Sequence, residues 1–492
     1  MSPSPRHQYA GQFVLGVKLD RTPEGWERHT VGRWTLASDL PVCPVQDPNG
    51  RTVGAMIGFA VSPDGTVLNS ALKLPLPLST ETVGSAEDAV YQHGGRFACV
   101  LAGGGVERLY LDPGGTLAAV YGWNAAASTG TLLAWCLGRA FRRPAAPLPT
   151  DGFYLAGQTS DPAVRRLLPN HYADLGEGEA VRHYWQEAPT PVPDDEVEGL
   201  VHEIVSGIRR NVEAAASLAP LYVGITAGRD SRMILACAHD VADQVSLYTF
   251  DNSGPADLAT GRMIARRLRL PHIVISTDEP DATVREAYLD RTGFSGNWGK
   301  AKDFYQGVRQ RIHGGGTLLV GFGGELGRAS KMQRAFGPDT QVNAELIASS
   351  YGVAHLPGGI QVLDDWLSGV TWADPFSFLG QAYWEHRVGC WAAPHLYGVS
   401  PTVTPLVPFV DRRVVDAMAR LPTAYHLNNR LPDDIVRVAW PALAAVPYQY
   451  RVGPAGFALR VARAVPRYVR RAAHYVGGVL SNNVSETEDA HS

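Results

Sequence analysis

The spacing of hydrophobic residues differs between the first 185 residues and the rest of the chain. In the first part, short apolar or alternating runs such as residues 12–17, 56–61 and 96–101 are separated by turn-forming residues. This pattern predicts a β-rich region of stacked sheets. A polar, proline-rich stretch at 186–195 follows and predicts a domain junction.

Beyond the junction, helical and strand-like spacings alternate. An amphipathic helix is predicted from apolar residues at helical intervals, which are Val197, Leu200, Val201, Ile204, Val205, Ile208 and Val212. Apolar runs at 221–225, 245–250 and 272–275 predict strands, and helices are predicted after the first run and over 257–268. This order predicts a parallel, doubly wound sheet that binds ligands at the carboxyl ends of its strands.

The composition limits the classes of protein that fit this pattern. The chain has 492 residues, enough for two or three domains, and its 45% hydrophobic and 19% charged residues are typical of a soluble globular protein. The formal net charge of −4 argues against a general nucleic-acid binder, so no nucleic-acid partner is expected. No apolar run is long enough to span a bilayer, and residues 1–7 lack a signal-peptide pattern. The missing apolar run argues against a membrane partner. The five cysteines are widely spaced, which favours a reduced, cytoplasmic protein without structural zinc.

The loop at 226–231 is the main candidate for a binding site. Its small residues, Ala227 and Gly228, let the backbone approach a phosphate, which the free N–H groups of the following helix would favour. Hydroxyl side chains lie at both ends of the loop, and Asp230 could hold a divalent cation. The alternative is an ordinary strand and helix, with an Asp or Ser side chain capping the first helical turn.

A second turn, rich in glycine, follows an apolar strand predicted at 317–320. It contains one carboxylate, Glu325, which suits a second metal ligand facing the first loop. The alternative is a flexible turn with a solvated glutamate. Arg229, Arg232 and Arg328 lie beside these two turns and are candidates for phosphate or substrate contacts, although solvated side chains are the simpler interpretation there.

These motifs resemble a known superfamily. The hexapeptide from Thr226 to Ser231 resembles the Ser-Gly-Gly-x-Asp-Ser loop of the PP-loop ATP pyrophosphatases. More closely, the chain resembles the asparagine synthetase and β-lactam synthetase superfamily, including its asparagine synthase-related proteins. The similar segments occur in the family's order at 94–98, 109–122, 168–175, 182–185, 257–265, 317–328, 384–391, 405–411 and 431–437.

The resemblance implies a fold class that mixes α/β and α+β in two domains. Residues 1–188 would form a degenerate glutaminase-like domain, an Ntn-hydrolase-like β-sandwich with helices. Residues 189–480 would form the doubly wound, parallel-sheet PP-loop synthetase domain, and 481–492 a disordered tail. The implied activity is that of an ATP-dependent ligase, which uses Mg²⁺, adenylates a carboxylate, releases pyrophosphate and lets an amine displace AMP.

The same resemblance assigns the site residues. Asp230 and Glu325 would be catalytic and would hold Mg²⁺. The expected nucleotide neighbours are Val223, Thr226, Ala227, Gly228, Arg229, Asp230, Ser231, Thr249 and Gly321. The partners would be small-molecule or peptide carboxylate and amine substrates, and a homodimer is left open.

The chain also departs from the family. Residue 2 is Ser2 instead of the nucleophilic cysteine, so glutamine hydrolysis is not expected. Phe322 replaces a glutamate of asparagine synthetases. Arg430 is the cation nearest to the position of the family's catalytic lysine, so the resemblance makes Arg430 the third catalytic candidate, and the alternative is an altered or lost activity. The family analogy therefore favours amide formation in natural-product biosynthesis, such as lactam or macrolactam closure. The alternatives are a degenerate nucleotide-binding or partner protein and an RNA-modifying PP-loop enzyme.

Overall fold

The computed structural model describes residues 8–145, 148, 152–335, 341–354, 356, 358–370 and 374–448. The expectations for Ser2 and for the tail at 481–492 lie outside these residues. The chain has mixed helix and sheet content, with sheets of six, seven and five strands. No helix within the described ranges combines the length and the hydropathy needed to cross a membrane.

The first part of the chain contains two of the sheets, as its alternating pattern predicted. In the six-stranded sheet all pairs are antiparallel, and its strands are in order Arg165–Arg166, Val120–Gly122, Ala125–Ala127, Phe13–Gly16, Trp34–Ser38 and Glu27–Val31. The strands of the seven-stranded sheet are in order Glu179–Arg182, His171–Asp174, Val106–Leu111, Gly94–Gly103, Thr52–Val61, Val42–Gln46 and Leu72–Lys73. Phe13 and Leu36 of the first sheet share a buried cluster with Ile57 and Val100 of the second, so hydrophobic burial holds the sheets together.

The third sheet is parallel and belongs to the second part of the chain. Its strands are in order His272–Ile275, Val245–Phe250, Leu221–Gly224, Thr317–Leu319 and Thr404–Leu406, and every neighbouring pair is parallel. The parallel sheet predicted from the apolar runs is therefore confirmed. The strand order reverses direction at Leu221–Gly224, next to Thr317–Leu319, which is the position where open α/β sheets bind ligands.

Helices occur in both parts but are concentrated in the second. The α-helices are Val83–Tyr91, Gly130–Cys136, Val197–Ala216, Asp230–Cys237, Pro255–Leu268, Ala282–Thr292, Val308–Arg311, Lys331–Ala335, Ala344–Ser350, Gly359–Ser368, Pro375–Ala382, Ala393–Tyr397, Arg412–Ala419, Thr423–Leu427 and Leu431–Ala439. Two segments are π-helical, Ala301–Gly307 and Tyr383–Ala392. The 3₁₀ segments are Asp194–Glu196, His239–Gln244, Asp251–Ser253, Trp298–Lys300, Gly324–Arg328 and Pro441–Ala445.

The largest buried cluster surrounds the parallel sheet. The predicted amphipathic helix is observed at Val197–Ala216, and its apolar face is buried against this cluster. Val223 and Leu247, which pair across neighbouring strands, belong to the same cluster. Burial on both faces of the sheet fixes the strand ends, and therefore the loops that follow them.

Candidate functional site

A cavity of about 640 Å³ lies at the carboxyl ends of the central parallel strands. The loop after Leu221–Gly224, the end of Val245–Phe250 and the turn after Thr317–Leu319 contribute to its walls. A further wall comes from residues 299–304. The cavity therefore lies where the strand order reverses, and both candidate loops line it.

Side chains fix the backbone of the first loop. Ala227 N–H donates to Asp257 Oδ1 at 2.7 Å, and Gly228 N–H donates to Thr226 Oγ1 at 3.1 Å. Thr226 N–H donates to Ser231 Oγ at 3.3 Å. These three amides already have acceptors within the protein, so they are not the open donors that the sequence suggested.

The helix after the loop is not capped by Asp230 or Ser231. It spans Asp230–Cys237, and its N-cap residue, Arg229, makes no side-chain capping bond. The capping alternative is therefore wrong for both residues. Asp230 lies in the first turn, where its carboxylate is favoured by the helix dipole and lines the cavity.

Glycines bring the second turn against the first loop. A Cβ atom on Gly324 would lie 2.8 Å from Asp230 Oδ1 and 2.8 Å from Met233 Cε, so only glycine fits without a shift. Gly323 has φ of +93°, a conformation that favours glycine. Gly321 lies over Asp230 and Ser231 and lines the cavity, as predicted.

Arg328 joins the two predicted metal ligands. Its Nε and Nη2 donate to Asp230 Oδ1 and Oδ2 at 2.7 and 2.8 Å, and its Nη2 donates to Glu325 Oε1 at 3.3 Å. Burial lowers the pKa of the Arg328 guanidinium, but the hydrogen bonds and charges of Asp230 and Glu325 outweigh burial and place that pKa above its ordinary value. Arg328 lines the cavity, whereas Glu325 lies outside the lining and is hydrogen-bonded to Arg328.

The carboxylates match part of a magnesium site. Their oxygens are the hard donors that Mg²⁺ prefers, but the described residues contain no group of three or more His, Cys, Asp or Glu side chains that could hold a metal ion. Magnesium is often bound by one or two carboxylates together with substrate phosphates. Asp230 and Glu325 therefore fit an ion shared with a polyphosphate, and Arg328 occupies their oxygens in this arrangement.

The opposite wall includes residues that sequence reasoning missed. Lys300 and Asp303 line the cavity, and Asn252 Nδ2 donates to Asp303 Oδ1 at 2.8 Å. Burial raises the pKa of Asp303. The only sequence signal was the charged group of Lys300, Lys302 and Asp303, because these residues lie in short 3₁₀ and π-helical segments without a regular hydrophobic period.

Thr249 and Phe322 complete the cavity around the strand ends. Thr249 lines it as predicted, although its hydroxyl donates to Ile225 O at 2.9 Å and lies 3.0 Å from His272 Nε2. Phe322 lines the cavity at the other side, and its ring centroid lies 5.4 Å from that of Trp391.

Several predicted residues do not reach the cavity. Val223 is 1% exposed and belongs to the core of the sheet, and Ala227 is also buried and outside the lining. Arg430 lies outside the lining too, pairs with Asp434 at 3.7 Å and has a side chain 58% exposed.

Arg232 is buried and donates to the carbonyls of Val446 and Pro447, so it anchors the chain instead of facing a ligand. The remaining predicted residues, which are Thr226, Gly228, Arg229, Asp230, Ser231, Thr249 and Gly321, meet around the cavity.

Comparison with known proteins adds no family assignment. No protein-family model matches the chain, and no curated protein matches it significantly. The site thus defines only a class, a mixed α/β protein with a cavity of polar and apolar side chains at the switch point of a parallel sheet.

Proposed function

We propose that this chain is an ATP-dependent ligase similar to the asparagine synthetase and β-lactam synthetase superfamily. It adenylates a substrate carboxylate with release of pyrophosphate and transfers the acyl group to an amine. The observation that carries the proposal is the cavity at the switch point, where the loop with Asp230 meets the turn with Arg328.

The position and size of the cavity support nucleotide binding. Open parallel sheets bind nucleotides outside the carboxyl ends of their strands at the switch point. The volume of about 640 Å³ falls within the range of roughly 300–1,000 Å³ that is typical of small-molecule sites. Aromatic and polar side chains share its walls, as a nucleotide with a base and a polyphosphate requires.

The polar groups are divided between two ends of the cavity. Thr226, Gly228 and Ser231 surround the helix N-terminus, which suits the polyphosphate. A bound Mg²⁺ would neutralise phosphate charge, and Asp230 and Glu325 would hold it. Lys300, on the opposite wall, is placed to bind a substrate carboxylate or the charge that develops during acyl transfer. Because Arg430 lies outside the lining, Lys300 is the better candidate for this cationic role.

The wider proposal follows the resemblance. Residues 1–188 would be a degenerate glutaminase-like domain with an Ntn-hydrolase-like sandwich, and the synthetase domain would begin at 189. Free ammonia or an amine substrate would replace glutamine as the nitrogen source. The protein would be cytoplasmic, with lactam or macrolactam closure as a natural-product role and no nucleic-acid partner.

Isotope exchange between pyrophosphate and ATP tests the proposal. Wild-type protein with Mg²⁺ and a panel of carboxylic acids should show acid-dependent exchange, because adenylation is reversible. Asp230→Ala should abolish exchange, since it removes the carboxylate at the polyphosphate end. Asp243→Ala is the matched control, because Asp243 is an exposed carboxylate in the segment after the same helix and lies outside the cavity lining.

The degenerate nucleotide-binding protein is the second candidate. It is favoured by the bonded amides of the loop and by the exposed position of Arg430. Saturable ATP binding without exchange, with acids and amines supplied together, would support this candidate and refute the ligase. Exchange or turnover that required RNA would support RNA modification instead.

A further inference from the structure

Arg328 occupies the oxygens that a metal ion would need. A guanidinium has five N–H donors. The Nε and Nη2 atoms of Arg328 make three hydrogen bonds, two to Asp230 and one to Glu325. Within the described part of the chain, the two Nη1 donors have no acceptor. Arg328 lines the cavity and its side chain is 12% exposed, so a ligand bound there would lie beside this guanidinium.

Arg328 weakens the attraction of this group for a free metal ion. Asp230 and Glu325 together have two formal negative charges, and Arg328 reduces the sum to one. A divalent ion is therefore attracted less strongly, and it must also displace hydrogen bonds to enter. A polyphosphate changes both conditions, because its oxygens can accept the Arg328 donors and can share the ion.

We propose that Arg328 makes metal binding at this site depend on polyphosphate. In this arrangement Arg328 holds the two carboxylates together until polyphosphate oxygens accept its hydrogen bonds, and the ion that the polyphosphate shares then binds the freed carboxylate oxygens. The identity of that polyphosphate as ATP rests on the proposed function. The dependence of metal binding on polyphosphate requires only the side chains of Asp230, Glu325 and Arg328.

Titration with Mn²⁺ alone tests the first half of the proposal. Mn²⁺ substitutes for Mg²⁺ and its free concentration can be followed by electron paramagnetic resonance, so no nucleotide or activity is required. The full chain should bind Mn²⁺ weakly. Arg328→Gln should bind it at least about tenfold more tightly, because the variant loses the competing cation and its hydrogen bonds.

Two variants separate hydrogen bonding from charge. Arg334→Gln removes a nearby exposed cation that influences Asp230 and Glu325 by charge alone, so its effect should be much smaller. Arg328→Lys keeps the charge but cannot bind the carboxylate in the two-pronged manner, so its Mn²⁺ affinity should be intermediate. Circular dichroism checks that each variant is folded. If Arg328→Gln does not fold, the Mn²⁺ affinity of Arg328→Lys is compared with that of the wild type instead.

Pyrophosphate tests the coupling. The increase in Mn²⁺ affinity on adding saturating pyrophosphate, corrected with a protein-free titration, should be larger for the wild type than for Arg328→Gln. Equal Mn²⁺ affinities for folded wild type and variant, or equal increases with pyrophosphate, would overturn the proposal. Absence of pyrophosphate–ATP exchange with an intact Mn²⁺ effect would refute the ligase and leave the role of Arg328 standing.

Discussion

At the scale of single residues, Asp257 sets the shape of the first loop. Its Oδ1 accepts the N–H of Ala227, a residue that is 5% exposed, although Asp257 lies 30 residues further along the chain. Burial raises the pKa of Asp257, and the hydrogen bond from Ala227 opposes this rise. The carboxylate therefore contributes to the loop by satisfying a backbone donor that has little access to water.

Replacing Asp257 should loosen the loop while the fold persists. Asp257→Ala should lower the free energy of unfolding by about 1–3 kcal/mol, because it leaves the buried Ala227 N–H unpaired. It should also weaken ATP binding, which calorimetry measures. Asp257→Asn keeps an acceptor oxygen and should recover most of the stability in urea unfolding. Equal losses for the two variants would show that this hydrogen bond does not shape the loop.

The partners of such residues could not be predicted from the sequence. The helix with Asp257 was predicted from its apolar side, but its bond to Ala227 depends on how strand and helix stack. In the same way, Arg328 was recognised as a cation beside a turn. Its bond to Asp230 was not predicted, because the two residues are 98 positions apart in the sequence. The local sequence shows which residues are small, charged or apolar. It does not show which distant residues they contact, because those contacts depend on tertiary packing.

At the scale of elements, the contact of two loops depends on Gly324. The residue is at the start of the Gly324–Arg328 segment, and its Cα faces the Asp230 carboxylate and Met233. Gly324 is therefore a packing position, where an added Cβ would displace the Asp230 carboxylate and the end of the Met233 side chain. This contact sets the distance between the two carboxylates and Arg328.

Gly324→Ala should displace the Asp230 carboxylate from Arg328. Its new Cβ would lie 2.8 Å from Asp230 Oδ1, so the Arg328 contacts should lengthen, and stability should fall by about 1–3 kcal/mol as for other overpacked positions. Gly199→Ala is the control, because a Cβ there would have no neighbour within 4 Å in the helix Val197–Ala216. That variant should be neutral or up to about 1 kcal/mol more stable. A Gly324→Ala melting temperature equal to that of the wild type would contradict this packing role.

The elements themselves were predicted more completely than the site. Strands predicted at 245–250 and 272–275 have these same bounds, because short apolar runs between turn residues report buried strands directly. The wall with Lys300 and Asp303 was missed, since π-helical and 3₁₀ segments have no simple hydrophobic period. The irregular segments contribute one wall of the cavity, so the site was harder to predict than the sheet.

At the scale of the whole molecule, the first part of the chain is bound to the second through Glu385. This carboxylate is 0% exposed and accepts hydrogen bonds from Arg182 at 2.5 and 2.7 Å, Asn170 at 2.9 Å, Trp366 at 2.7 Å and Gln381 at 2.8 Å. Burial alone would raise the pKa of Glu385, but the charge and hydrogen bonds of Arg182 and Asn170 hold it below its ordinary value. Arg182 and Asn170 precede the predicted junction at 186–195, and Glu385 follows it.

Removing the charge of Glu385 should destabilise the whole chain. Glu385→Gln should lower the free energy of unfolding by about 3–5 kcal/mol, because it leaves the guanidinium of Arg182 buried without its counter-ion. Urea unfolding followed by tryptophan fluorescence measures the loss. Glu345→Gln, at an exposed position in the helix Ala344–Ser350, should change stability by less than about 0.5 kcal/mol.

A double-mutant cycle separates the stranded charge from the lost hydrogen bonds. If the buried charge of Arg182 causes most of the cost, adding Arg182→Gln to Glu385→Gln should restore part of the stability, because the double variant buries no unpaired ion. If the loss comes from the bonds of Asn170, Trp366 and Gln381, the second substitution should add to the first. Additive losses would therefore mean that Glu385 stabilises the chain mainly through its hydrogen bonds to neutral side chains, and recovery would mean that the cost of Glu385→Gln comes mainly from the stranded charge of Arg182.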